Sequence, residues 1–120
     1  MPVSSLNPGT KPLALAVKAR AKPEDTVVHY HGFFHDFTFY AERTVDLAAY
    51  TDELEPEEDP AARASGRFMD EKAFRELWVR PGRVYAVARK RDTKELFADR
   101  TFHYHLLGET EDHYLFSNQP

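Results

Sequence analysis

The chain has 120 residues, 42% of them hydrophobic and 30% charged, with a formal charge of −4 and a pI near 5.8. That length suits one domain with one core, and the balance excludes wholesale disorder. An acidic chain without a basic stripe argues against a nucleic-acid partner, and the lack of cysteine removes any disulfide or zinc-thiolate framework.

In chain order, residues 1–10 hold two Pro, a Gly, an Asn and two Ser, the composition of a linker or chain edge. Residues 11–120 form the single domain. Pro12 opens a helix over PLALAVKARA, with Leu13, Val17 and Ala16 toward one face and Lys18, Arg20 and Lys22 at its carboxyl end. Pro23 ends it. TVVHYH, Thr26 to His31, is β-branched and aromatic and predicts a strand closed by Gly32. Asp36 is placed to cap a short helix through Tyr40 and Ala41, and RTVDLAAY predicts a second strand.

Residues 52–66 read as a solvated acidic loop, broken by Pro56 and Pro60. Its carboxylates also suit calcium, but the spacing of a known calcium loop is missing. Asp70 caps a helix carrying Phe74, Leu77 and Trp78 on one face. VYAVAR, Val84 to Arg89, is apolar on both faces apart from Tyr85 and predicts a central strand. Asp92 is placed to cap a short helix over TKELFAD. TFHYHLL and HYLFSN then predict a hairpin around GETED. This alternation gives an α/β layered domain. Its sheet is expected to be mostly parallel, with a C-terminal antiparallel hairpin and helices on both faces.

Two His-Tyr-His stretches raise a metal question. Side chains at i and i+2 of a strand share a face. His29 and His31 on one strand, and His103 and His105 on another, would converge if the strands were neighbours. The same spacing fits packed or rim histidines, and no His-Glu-X-X-His accompanies it. No serine sits in a Gly-X-Ser-X-Gly elbow, and the five glycines form no phosphate loop. No cofactor is called for. The run Arg80, Arg83, Arg89, Lys90 and Arg91 contains no acid between its members and reads either as solvated strand ends or as a patch for anionic headgroups or phosphates.

One resemblance spans nearly the whole chain. KPLALAVKARAKPEDTVVHYHGFFHDFTFYAERTV, Lys11 to Val45, resembles the pattern KPLA…LKPGD…VVSY-x-x-YFQDLPFYLGRTV. DELEPEEDP resembles an acidic GELEFG-like loop, and FMDEKAFRELW a helix of the form F-I-D-x-x-x-F-x-x-x-W. Arg83, Val84, Val87, Arg89 and Leu96 follow the next strand and helix, and YLFSN a terminal VLVSN. These patterns belong to extracytoplasmic C-terminal domains of polytopic membrane glycosyltransferases, the aminoarabinose-transferase-like and protein mannosyltransferase-like enzymes of glycosyltransferase family 39.

The resemblance implies a non-catalytic accessory domain of an enzyme that moves a sugar from a polyprenyl-phosphate donor, because that family's catalytic acids lie in an extracytoplasmic loop between its first membrane helices, a segment without counterpart in these residues. It implies placement on the extracytoplasmic, periplasmic face of the membrane, beside the membrane-embedded part of the parent protein. Anionic lipid or a polyprenyl-phosphate sugar is the implied small partner. The alternatives are a metal-binding module or metal-dependent enzyme built on the paired histidines, and a carbohydrate- or lipid-phosphate-binding module. Candidate binding residues are Asp36, Tyr40 and Arg43, with Asp36 and Tyr40 on one helical face, and the basic Arg89, Lys90 and Arg91. Asp36 and Arg43 match the family pattern, whereas it places glycines where this chain has Glu24 and Glu42.

Overall fold

The computed structural model describes residues 10–32, 34–43, 45–48 and 68–120. The acidic stretch expected as a loop lies outside them. Helix α1 (Lys11–Arg20) carries Pro12 in its first turn and buries Leu13, Ala14 and Val17. β1 (Thr26–Tyr30) leads into α2 (His35–Ala41), then β2 (Asp46–Ala48) and β3 (Phe68–Met69). α3 (Glu71–Val79) is capped by Asp70, whose carboxylate accepts the Ala73 N–H at 2.8 Å. β4 (Val84–Arg89) passes through a 3-10 turn (Lys90–Asp92) into α4 (Lys94–Ala98), and β5 (His105–Glu109) pairs with β6 (His113–Ser117).

The sheet order is β3-β2-β1-β4-β6-β5. β3, β2, β1 and β4 run parallel, whereas β6 is antiparallel to both β4 and β5. Among the described residues as many residue pairs are joined antiparallel as parallel, so the expected mostly parallel sheet is a mixed one. The reason is β6. Instead of closing only on its hairpin partner, it inserts beside β4 and carries the antiparallel sense into the middle of the sheet.

Strand alternation sorts the core into two layers. On one face Val27, Leu47, Tyr85, Val87 and Leu115 meet Leu13, Val17, Phe37 and Ala41 of α1 and α2. On the other Val28, Tyr30, Ala86, Ala88 and Phe116 meet Phe74 and Trp78 of α3 and Leu96 of α4. The step from β1 to β2 carries α2 on the first face. The step back from β3 to β4 carries α3 on the second, so both crossovers have the same hand. β4 is central as expected, with Val84 to Ala88 all buried.

Two local predictions of helix caps fail. Asp36 does not cap α2 and Asp92 does not cap α4, because neither helix start has a side-chain cap. Asp36 lies inside the first turn and is drawn to Thr10, whereas Asp92 is drawn back to the Arg89 guanidinium at 3.2 Å. Asp36 accepts the Phe37 N–H at 3.0 Å from inside that turn together with both Thr10 donors, whereas Asp92 is held in an ion pair with Arg89. At the outer edge of the sheet, Leu106 pairs with Phe116 and Gly108 with Leu115, which leaves Leu107 as an extra residue in a β-bulge.

Candidate functional site

Chain order reverses between β1 and β4. After β1 the chain winds outward through β2, and it returns on the far side of β1 at β4. In doubly wound sheets the crevice outside the carboxyl ends of such strands is where ligands bind. Here those ends are His31 and Gly32 after β1, and Arg89 to Asp92 after β4.

The crevice floor is held tightly. His31 takes a left-handed backbone (φ 67°), and its N–H donates to the Ala48 carbonyl at 2.8 Å. Arg89 donates from Nη2 to the His31 carbonyl at 3.2 Å and lies 5.7 Å from the centre of the Phe34 ring. A Cβ on Gly32 would stand 2.2 Å from Arg89 Nη2, so glycine leaves the room that the guanidinium occupies.

This geometry dissolves the four-histidine site. His29 is fully buried against Phe34 and Phe37, and its Nδ1 accepts the Phe34 N–H at 3.2 Å. The turn at His31 breaks the i, i+2 rule, so this ring lies instead against Tyr30 on the opposite face, 3.7 Å from a Glu71 oxygen. His103 precedes β5, and His105 is exposed on it. β1 and β5 are three strand spacings apart, about 14 Å. Among the described residues no group of three or more His, Asp or Glu side chains is placed to hold a metal.

Asp36, Tyr40 and Arg43 grip α1 at its two ends. The Asp36 carboxylate accepts the Thr10 N–H at 2.6 Å and the Thr10 hydroxyl at 2.8 Å. The Lys11 ammonium lies 4.8 Å from the centre of the Tyr40 ring. Arg43 donates to the carbonyls of Lys22 and Asp25 in the turn that follows α1. The first two share a helical face, as their spacing predicts, but Arg43 points to the far end of α1.

The basic run divides as well. Arg89 braces the floor, and Lys90 donates to Glu109 at 2.7 Å while lying 5.0 Å from the Tyr114 ring centre. The Glu109 bond raises the Lys90 pKa above its usual range. Arg91 is exposed and is joined by exposed Lys94, which the sequence reading did not single out. Between the 3-10 turn with α4 and the β5–β6 turn runs a groove of about 760 Å³, lined by Arg91, Lys94, Phe97, Glu111, Asp112 and Tyr114 among others. His113 also lines it, with a buried Nδ1 that has no hydrogen-bond partner among the described residues and a pKa lowered by burial. The Arg89↔His113 and Ala88↔Tyr114 register brings this wall to the basic run. Only the unexpected β4–β6 pairing does this, so the groove could not be assembled from motifs.

A second cleft of about 570 Å³ lies across the 3-10 turn and shares Arg91 and Lys94 with the groove. Its wall is a polar chain that motif reading also missed. The Tyr30 hydroxyl donates to Glu71 at 2.6 Å, and Arg75 donates to Glu71 at 3.0 Å and to Asp99 at 2.5 Å. Burial and then the Glu71 carboxylate push the Tyr30 pKa upward. Asp99 is held at about 2, below its ordinary 3.8, first by the Thr101 hydroxyl and amide and then by Arg75. A depressed carboxyl stabilises the fold above its unfolded pKa, and that contribution disappears as pH falls through the folded value. Unfolding free energy, measured by urea titration at stepped pH, is therefore expected to fall between about pH 4 and 2. Asp99→Asn is expected to flatten that part of the profile.

One family model matches the chain, and two solved structures share its fold. The profile of the aminoarabinose transferase C-terminal domain matches residues 13–118. A crystal structure of ArnT from Cupriavidus metallidurans bound to undecaprenyl phosphate superposes with a TM-score of 0.71 at 17% identity, over 91% of this chain and 19% of that one. The apo form of the same protein superposes with a TM-score of 0.71 at 16% identity, over 91% of this chain and 20% of that one. The chain thus spans about a fifth of the length of the solved proteins it is similar to. A search of curated proteins finds no match.

Proposed function

The chain belongs to the aminoarabinose transferase C-terminal domain family, and on that premise we propose that it is the non-catalytic accessory domain of a membrane glycosyltransferase. In this reading the parent enzyme takes its sugar from a polyprenyl-phosphate donor. The domain stands on the extracytoplasmic side, against the membrane-embedded part, and helps to position an anionic donor or acceptor group. The observation that carries the reading is the family match over residues 13–118, supported by the shared fold. The bound undecaprenyl phosphate of the Cupriavidus metallidurans protein points to the donor class. Among the described residues no helix is long and apolar enough to cross a membrane.

Arg91 and Lys94 are the residues that fit the positioning role. They stand exposed at the switch point, where Arg89 is committed to the floor and Lys90 to Glu109. Each cation near an anionic lipid surface contributes about 1 kcal/mol. In membranes carrying the full-length enzyme, the Arg91→Gln/Lys94→Gln double variant is expected to lower sugar transfer from a polyprenyl-phosphate donor by roughly 30-fold under subsaturating donor. The 120-residue chain alone is expected to transfer none. Turnover by the isolated chain, or full transfer by an enzyme with the domain removed, would overturn the proposal.

A further inference from the structure

The groove beside Arg91 and Lys94 has two walls of opposite charge and an aromatic floor, and we propose that it binds a phosphorylated sugar or polyol ring. This deepens the accessory reading and rests on it for the biological source of the ligand.

One wall is cationic. The 3-10 turn and α4 present Arg91 and Lys94, both exposed and, among the described residues, without an ion pair. The neighbouring cations are already neutralised, Arg89 by Asp92 and Lys90 by Glu109. A phosphate is a compact anion with several acceptor oxygens, which suits one guanidinium and one ammonium set three residues apart. The facing wall is the β5–β6 turn with Glu111 and Asp112. Carboxylates accept hydrogen bonds and donate none when ionised, so this wall suits hydroxyl donors and repels a second phosphate.

The floor between them is made of half-buried Phe97 and Tyr114, with ring centres 5.5 Å apart. Phe97 is fixed by stacking on Tyr104 at 4.0 Å and by an edge contact with Phe116 at 5.0 Å. A rigid apolar floor matches the C–H face of a saturated ring and gives nothing to an open-chain glycerol. The volume of about 760 Å³ holds a ring with its phosphate. Phosphate on one side, ring on the floor and hydroxyls on the other side together describe one ligand class. A bare anion uses one wall of the three surfaces, and a neutral sugar leaves the cations unpaired.

Two sources share this chemistry, a soluble sugar phosphate and a lipid headgroup. The test uses the 120-residue chain and two arms. In solution, Phe97 and Tyr114 ring resonances are followed during titration with glucose 1-phosphate, inorganic phosphate and methyl glucoside. Shifts of both rings with glucose 1-phosphate, and not with the other two, are expected. In the vesicle arm, phosphatidylcholine carries phosphatidylinositol or phosphatidylglycerol at equal mole fraction. These headgroups have the same charge, but only inositol brings a ring. Preference for phosphatidylinositol by roughly 2- to 10-fold is expected, the range that a ring contact contributes. Arg91→Gln/Lys94→Gln changes exposed residues only and is expected to abolish both responses.

Ring shifts without vesicle preference assign the site to a soluble sugar phosphate, and preference without shifts overturns a groove-based site. Equal response to all probes in both arms, or responses that persist in the double variant, overturn the proposal. That failure leaves the accessory role standing, because sugar transfer by the full-length enzyme is measured separately.

Discussion

Trp78→Ala is expected to lower folding stability by roughly 3–5 kcal/mol, the range for removing a large buried aromatic. Trp78 is 3% exposed and meets Phe102, Phe74 and Phe116 at ring-centre distances of 5.0, 5.3 and 5.5 Å. Its indole N–H donates to the His103 carbonyl at 2.7 Å. The substitution therefore leaves a cavity in the second core layer and removes the donor that ties the segment before β5 to α3. Domains of this size carry about 5–15 kcal/mol in all, so the loss takes a large share. Urea unfolding is expected to show a midpoint lowered by ~1–3 M with unchanged slope. Trp78→Phe keeps most of the volume and isolates the hydrogen bond, with an expected cost of about 1 kcal/mol. A loss below about 1 kcal/mol for Trp78→Ala would show that this layer is far looser than the contacts require.

Asp36→Ala is the second large effect, roughly 2–4 kcal/mol, because it leaves the Thr10 N–H, the Thr10 hydroxyl and the Phe37 N–H without their shared acceptor. Thr10 is fully buried, and both its N–H and its hydroxyl donate to the Asp36 carboxylate. A simple helix cap would be worth only about 0.5–2 kcal/mol. The excess measures the link between the start of α1 and α2, so a Thr10→Val/Asp36→Ala cycle is expected to show strong coupling. Additive losses, or a single loss of less than about 1 kcal/mol, would mean that the two residues do not act together. The outcome also bears on the reading of Asp36 as a binding residue. Matched loss of stability and transfer in the full-length enzyme fits a structural role, whereas loss of transfer alone fits a functional one.

Local patterns made much of the fold legible. Asp70 with Phe74 and Trp78 reads directly as a capped amphipathic helix, and VYAVAR as a central strand, because each depends on neighbours in sequence. The mixed sheet was not legible. Nothing in HYLFSN says which strand its second edge joins, and that choice is made by packing. Glu42 shows the same limit at one residue. It ends α2 in the left-handed conformation (φ 57°), where the family pattern has glycine, and its carboxylate reaches Lys18 at 2.5 Å. For the site, residue type identified Arg91 as a surface cation. Its separation from Arg89 and Lys90 depended on Asp92 and Glu109, and the groove depended on a strand pairing more than twenty residues away in sequence.

The extra residue at Leu107 has a bearing on self-association. An outermost strand exposes a row of unpaired amides and carbonyls on which a second copy can add a strand. Among the described residues β5 is such a strand and carries Leu106, 47% exposed. The bulge breaks its ladder after two paired residues and turns Leu107 inward, while a Leu13 methyl from α1 stands 3.3 Å from where a side chain at Gly108 would begin. The edge is thereby short, bent and overlain by a helix, and a copy of the chain meets no straight template there. The irregularity that disrupts the hairpin register also blunts this edge against strand addition.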